Sequence, residues 1–136
     1  MQIRKPPKKQ DPQDRRRFPR VWKNLAIKLE DKEVDFVTET KNISCIGAYC
    51  QTDAYLPILT RLKITLLLPK SKRSKTAKPI ACEGTVVRVE RSNDPLESNK
   101  YDVAIYFNQI SKGDMKLIDE YVKNNIARPV RISSGP

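Results

Sequence analysis

Short stretches in which every second residue is apolar constrain the fold of this chain more than any other feature. The clearest is RLKITLLLP, residues 61–69. Its alternating apolar set is Leu62, Ile64, Leu66 and Leu68. Arg61, Lys63 and Thr65 lie between these positions, and Pro69 ends the pattern. A period of two places one set of side chains on each face of a strand, so this stretch predicts a half-buried β-strand.

Five further stretches carry the same signal, with turn residues between them. They are residues 25–30, 34–43, 48–52, 80–90 and 101–107. In the stretch from Ile80 the apolar positions run to Val86 and then shift by one to Val87 and Val89, which predicts a β-bulge with Gly84 as a bend point. The last stretch places four residues on one face: Tyr101, Val103, Ile105 and Phe107. The chain therefore predicts six short strands.

One helix is predicted, near the C-terminus. Ser111 supplies an N-cap, with Asp114 three residues later as a variant of the capping box. The apolar positions at helical spacing are Met115, Ile118, Tyr121 or Val122, and Ile126. Pro129 stops the helix. We therefore predict an all-β fold, a small six-stranded antiparallel β-barrel with one C-terminal α-helix over about residues 111–126.

Closing the sheet into a barrel removes the exposed edges that six short strands would otherwise leave. The interior of so small a barrel is filled by its own side chains, so a binding site must lie outside or at one end. Residues 1–14, MQIRKPPKKQDPQD, predict a disordered N-terminal arm. We expect one folded domain over residues 15–126 and a flexible tail over residues 127–136.

Localisation is predicted from the apolar runs. The longest, residues 64–68, is interrupted by Thr65 and is far too short to span a membrane. No apolar stretch follows the early lysines as it would in a signal peptide. We therefore expect a cytoplasmic protein.

Positive charge is concentrated in two segments. The chain carries a net +11, of which residues 1–24 hold +7 and residues 70–79 hold +5, leaving the remainder at −1. A neutral body with a basic arm indicates an anionic partner that is met by the arm. The segment 70–79, KSKRSKTAKP, reads as a long hairpin loop, either solvated or in contact with another molecule.

Two residue classes are too scarce for catalysis or metal binding. The chain contains no His, which is the commonest general base, and no paired nucleophile motif. The cysteines Cys45, Cys50 and Cys82 are odd in number and lack an obvious fourth zinc ligand. We therefore expect no enzyme, no metal site, no catalytic residues and no disulfide framework.

The N-terminal arm ends in an unusual motif, DRRRFPRVW, residues 14–22. Four arginines surround Phe18 and Pro19. A tail that only had to be soluble would need neither an aromatic anchor nor a proline that limits the backbone. The motif therefore indicates an arm that takes a defined position when it meets its partner.

A second motif, NISCIG, lies at the junction of the second and third predicted strands. Taken alone, it is typical of a turn in which Asn42 and Ser44 satisfy backbone groups and Gly47 takes a positive φ. Taken with Arg16 and Arg20, it resembles the signature of the PilZ domain, RxxxR followed after a strand or two by [D/N]xSxxG. PilZ domains are bacterial receptors for the second messenger cyclic di-GMP.

The resemblance extends over residues 15–126, and the family fold is likewise a six-stranded barrel with a C-terminal helix. It implies a ligand-binding set of Arg15, Arg16, Arg20, Asn42, Ser44 and Gly47. Arg16 and Arg20 would contact phosphate and guanine, because a guanidinium forks onto either group. Asn42 and Ser44 would hydrogen-bond the base and the phosphodiester. Gly47 would let the ligand approach the backbone closely.

One residue before the motif and one within the last strand modify this expectation. In the family, an arginine at the position of Arg15 goes with binding of an intercalated ligand dimer, so we expect two cyclic di-GMP molecules per chain. Asp102 stands where many relatives have glycine, and an anion there would weaken binding if it faced the site.

The resemblance implies a receptor that changes conformation on binding and signals to a partner protein. Two other readings remain open: a PilZ-like adaptor that does not bind the nucleotide, and a small β-barrel that binds nucleic acid. The latter would lose affinity steeply with salt and would normally display stacking aromatics along a strand face.

Overall fold

The computed structural model describes residues 18–70 and 76–126. Its elements in chain order are β1 Ala26–Glu30, β2 Asp35–Ser44, β3 Gly47–Thr52, β4 Arg61–Pro69, β5 Ala77–Arg91, β6 Tyr101–Gln109 and helix α1 Lys112–Asn125. A single turn of 3-10 helix, Pro95–Glu97, lies between β5 and β6. The predicted arm (1–14), the predicted tail (127–136) and the centre of the basic loop (71–75) lie outside the described residues.

The six strands close into a barrel in the order β1-β2-β3-β6-β5-β4. All neighbours are antiparallel, and each strand is hydrogen-bonded on both sides. The predicted all-β barrel with one C-terminal helix is therefore confirmed. Closure places every strand between two neighbours, which removes the two edge strands of an open sheet.

The alternating apolar residues fill the barrel. Those of β4 are almost completely buried: Leu62, Ile64, Leu66 and Leu68. The face predicted for β6 also points inward, with Val103, Ile105 and Phe107 buried and Tyr101 half-buried. Because successive side chains of a strand point to opposite faces, the positions between them form the outer surface. The site described below lies on that outer surface.

The predicted bulge is present in β5, but Val87 faces outward, whereas the sequence pattern predicts that it faces the core. The pairing of β5 with β6 shifts between Val86 and Arg88, so Val87 is the extra residue. Val87 is 50% exposed instead of continuing the core. A bulge leaves its extra residue unpaired, and for this reason Arg88 points to the outer face, opposite Ala104.

Helix α1 begins as the sequence predicts. The Ser111 hydroxyl oxygen accepts a hydrogen bond from the backbone N–H of Asp114 at 3.1 Å. Ile118 and Val122 are fully buried, and the helix packs against β2 and β4. The hairpin beside it is tighter than predicted, because β5 already begins at Ala77, which pairs with Pro69.

The cysteines belong to the barrel. Cys45 and Cys50 are buried, Cys82 is half-buried, and all three are free. Burial raises the pKa of Cys50 to about 12, and burial with nearby carboxylates raises the pKa of Cys82 to about 12. Over residues 18–70 and 76–126 we find no cluster of three or more metal-binding side chains. No helix in this part of the chain is long and apolar enough to cross a membrane.

Candidate functional site

The chain enters the barrel through a short bridge that fixes the position of Arg20. Val21 and Ile43 exchange two backbone hydrogen bonds, each with an N–O distance of 3.0 Å. Both side chains are buried, and the half-buried Phe18 packs against the same core. This apolar anchoring holds Arg20 beside the C-terminal end of β2, at the second motif.

Arg20 and Asn42 are in direct contact. The Arg20 Nη1 donates a hydrogen bond of 2.7 Å to Asn42 Oδ1 and a longer one of 3.5 Å to the carbonyl oxygen of Gly47. Partial burial of the guanidinium lowers the pKa of Arg20, and the nearby positive charge of Arg88 lowers it further. The structure thus brings residues of both sequence motifs together on one surface.

Ser44 and Gly47 shape the turn between β2 and β3. Ser44 is fully buried, and its hydroxyl oxygen accepts a hydrogen bond of 3.2 Å from the backbone N–H of Ile46. Gly47 does not take the positive φ expected of a turn glycine. It is small for another reason, because a Cβ there would lie 2.3 Å from the carbonyl oxygen of Ile105 on β6. Close packing of two strands therefore requires this glycine.

Four outward-facing residues form one row across the barrel next to Arg20. Asn42 on β2 pairs with Tyr49 on β3, Tyr49 pairs with Ala104 on β6, and Ala104 pairs with Arg88 on β5. Neighbouring strands lie about 4.8 Å apart, so the row extends about 14 Å across the sheet. A row of that length suits a ligand of nucleotide size lying flat on the outer face.

Two cations besides Arg20 lie over the ring of Tyr49. The Lys41 Nζ lies 5.8 Å from the ring centroid, and the Arg88 Cζ lies 5.7 Å from it. Lys41 reaches this face because the pairing of β2 with β3 is irregular between Thr40 and Asn42. Bulges often redirect a side chain in this way. Together with Arg20, Lys41 and Arg88 make this surface basic. An anionic ligand would reduce the repulsion between their like charges.

Asp102 adds a negative charge to this surface. It faces outward, opposite Gln51 and Glu90, and only 9% of the residue is exposed. Its Oδ1 accepts a hydrogen bond of 2.9 Å from Lys41 Nζ. The sequence alone does not show which way Asp102 faces. In the structure it faces the site, and the positive charge of Lys41 offsets its negative charge.

The structure thus brings Arg20, Asn42 and Gly47 together and holds Ser44 in the turn beneath them. Arg15 and Arg16 lie outside the described residues. Sequence reasoning missed Lys41, Tyr49 and Arg88 as parts of the same surface. The signal for Arg88 was present in the shifted alternation of its strand, but the neighbours of Tyr49 depend on strand pairing that no local pattern encodes.

A separate cleft of about 700 Å³ lies between the C-terminal half of α1 and the β4–β5 hairpin. Its lining includes Leu68, Lys70, Lys78, Leu117 and Tyr121. None of the predicted site residues lines it. The candidate site is therefore the open outer face of the barrel beside Arg20, and not this cleft.

Comparison with known proteins identifies the family. The PilZ domain model matches residues 14–124, so this chain belongs to the PilZ domain family. The matched segment includes the arginine motif, the second motif and nearly all of α1. A comparison with curated protein sequences finds no match.

Solved structures share the fold. The motility inhibitor MotI/DgrA of Bacillus subtilis is 23% identical, with a TM-score of 0.69 over 81% of this chain and 50% of its own. MrkH of K. pneumonia is 17% identical, with a TM-score of 0.65 over 86% of this chain and 49% of its own. The chain thus spans about half the length of these two proteins.

A third similar structure is the PilZ domain of YcgR from Escherichia coli, which was solved with c-di-GMP. It is 10% identical, with a TM-score of 0.57 over 81% of this chain and 90% of its own. Its length corresponds to that of the present chain, and the similarity establishes the barrel and its helix as the shared unit.

Proposed function

We propose that this protein is a receptor for cyclic di-GMP and binds it on the outer face of β2, β3, β6 and β5. The observation that carries the proposal is the 2.7 Å hydrogen bond between Arg20 and Asn42. It joins two motifs that are 22 positions apart and places a guanidinium and an amide on one basic surface. The solved YcgR domain, which carries c-di-GMP on the same fold, supports the choice of ligand.

The chemistry of the ligand matches this surface. Cyclic di-GMP offers two phosphates, which pair with arginine through charge-assisted and often bidentate hydrogen bonds. It also offers guanine O6 and N7, which accept a bidentate pair from arginine. In the bound state Arg20 turns from Asn42 to the ligand, and Asn42 is then free to contact the base. Ser44 holds the turn and reaches the ligand only if that turn shifts.

Arg15 and Arg16 precede Arg20 closely enough to reach the same surface when the arm closes. Arg16 contacts phosphate and guanine, and Arg15 promotes a second, intercalated ligand molecule. Ordering the arm costs conformational entropy, which charge-assisted hydrogen bonds of about 1.5–3 kcal/mol each offset. The closed arm changes the surface offered to a partner protein, and this change is the signal. No catalytic step is involved.

Calorimetric titration with cyclic di-GMP tests the proposal, with GTP and a short single-stranded DNA as controls. We expect saturable binding to cyclic di-GMP and none to either control. Absence of heat with all three ligands would point to a PilZ-like adaptor without a nucleotide. Binding to DNA alone, with a steep loss of affinity in salt, would point to a nucleic-acid-binding barrel.

A further inference from the structure

The strongest unassigned feature of the described surface is the ring of Tyr49 with two cations close to it. Arg88 and Lys41 lie at almost the same distance from the ring centroid, 5.7 and 5.8 Å. Neither cation belongs to the two motifs that define the family resemblance. An aromatic ring can stack on a planar base, and a guanidinium and an ammonium group close to it favour a negatively charged ligand.

The strand between Tyr49 and Arg88 leaves room above the sheet. Ala104 of β6 separates them and pairs with both. Its side chain is a single methyl group, so nothing longer rises from β6 between the ring and the guanidinium at this position. Tyr106 and Asp102, the next outward residues of β6, lie to either side of Ala104 along the strand.

A base between Tyr49 and Arg88 would need more space than the free protein provides. Stacked planar groups lie about 3.5 Å apart, so two groups that enclose a base lie about 7 Å apart. The Arg88 Cζ lies 5.7 Å from the Tyr49 centroid, so Arg88 must move away from the ring before a base can enter. Arg88 is exposed, so a change of rotamer can supply this movement without disturbing the core.

We infer that Tyr49 and Arg88 form a stacking platform for one purine base of the ligand, with Lys41 close to its phosphate. The inference rests on the proposed function and adds residues outside both motifs to the binding site. In the free protein Lys41 Nζ donates a hydrogen bond of 2.9 Å to Asp102 Oδ1. Stacking contributes affinity for a base whatever hydrogen bonds its edge makes.

The alternative is that the two cations only stabilise the free barrel. Cation–π contacts between exposed groups are weak but favourable, and they need no ligand. The two roles differ in what substitution changes. A structural contact affects the melting temperature of the free protein, whereas a stacking platform affects the increase in melting temperature on adding ligand.

Titration of Tyr49→Phe, Tyr49→Ala and Arg88→Gln with cyclic di-GMP separates these roles. We expect Tyr49→Phe to bind like the parent, because its ring still stacks. We expect Tyr49→Ala to lose about tenfold or more in affinity, and Arg88→Gln to lose several-fold. Arg91→Gln is the matched control, since Arg91 lies on the same strand and 5.4 Å from the ring of Tyr101, within another cation–π pair. It should bind like the parent.

The outcomes distinguish this inference from the proposed function. If the parent binds, Arg20→Ala binds about tenfold more weakly or worse, and Tyr49→Ala and Arg88→Gln both bind like the parent, the platform is wrong and the receptor stands. If the parent does not bind cyclic di-GMP at all, both are wrong. Because Arg88 is exposed, Arg88→Gln is expected to fold. The test therefore remains decisive even if Tyr49→Ala does not fold.

Discussion

The carbonyl oxygen of Ile105 occupies the space that a side chain at Gly47 would need. A Cβ built on Gly47 would lie only 2.3 Å from this oxygen, and Gly47 pairs directly with Tyr106 on the same strand. The glycine of the second motif is thus a condition for closing β3 onto β6. Gly47 therefore allows the outer face of β3 and β6 to form, and any contact between Gly47 and a ligand comes in addition to this role.

Gly47→Ala is therefore expected to destabilise the barrel by about 1–3 kcal/mol, because β3 and β6 must separate to admit the methyl group. Denaturant unfolding measures the change. Gly113→Ala is the control, since a Cβ there meets no atom within 4 Å and the residue lies in α1. It should leave stability unchanged or raise it by up to about 1 kcal/mol. Equal stability of both variants would contradict the packing argument.

Arg20→Ala and Arg16→Ala are each expected to weaken cyclic di-GMP binding by about tenfold or more. The reason is the loss of charge-assisted hydrogen bonds to phosphate and guanine. Calorimetry of the purified variants measures the effect. Arg17→Ala is the control, because no role is assigned to Arg17 beyond its charge, and it should change affinity much less. Parent-like affinity in both test variants would remove the arm from the site.

Arg15→Ala is expected to change the number of ligands bound more than the affinity of the first. If Arg15 supports an intercalated dimer, the fitted stoichiometry should fall from two cyclic di-GMP molecules per chain to one. Calorimetry with an independently measured protein concentration determines this number. A parent stoichiometry of one would contradict the prediction before any variant is made.

Asp102→Asn is expected to strengthen cyclic di-GMP binding by up to about fivefold. The substitution removes the anion that pairs with Lys41 at 2.9 Å and leaves that ammonium group to face the ligand phosphates. Calorimetry of the variant and the parent at the same salt concentration measures the change. Salt should reduce the gain only slightly, because Asp102 is 9% exposed and buried charges are screened less than exposed ones. Weaker binding would show that Asp102 acts through structure and not through charge.

The thiols are expected to be unreactive in the folded protein at pH 8. Burial raises the pKa of Cys50 to about 12 and is the main cause that raises the pKa of Cys82 to about 12, so only about one molecule in ten thousand carries either thiolate. Burial also raises the pKa of Cys45. Ellman's reagent should titrate three thiols rapidly in denaturant and none rapidly without it. Rapid reaction of Cys45 or Cys50 in the native protein would contradict their burial, and rapid reaction of Cys82 would contradict its raised pKa.

The strand faces were predictable because burial on one side of a strand imposes a period of two. Leu62 to Leu68 and Tyr101 to Phe107 show this period without interruption, and the structure places these residues inward. Val87 was assigned to the wrong face, because a shift of one in an apolar pattern does not tell which residue is the extra one. That choice is made by pairing with β6, which skips Val87 and turns Arg88 outward.

By itself, the sequence determined the local features: the six strands, the cap of α1, and the two motifs at Arg20 and Asn42. Each depends on residues that are close in the chain, so each leaves a local pattern. Only the tertiary structure decided that Arg20 contacts Asn42 and that the backbone of Ile105 packs against Gly47. It also decided that Tyr49 and Arg88 lie on one face. These contacts depend on the order and register of β2, β3, β6 and β5, which are set when the whole barrel closes around its core.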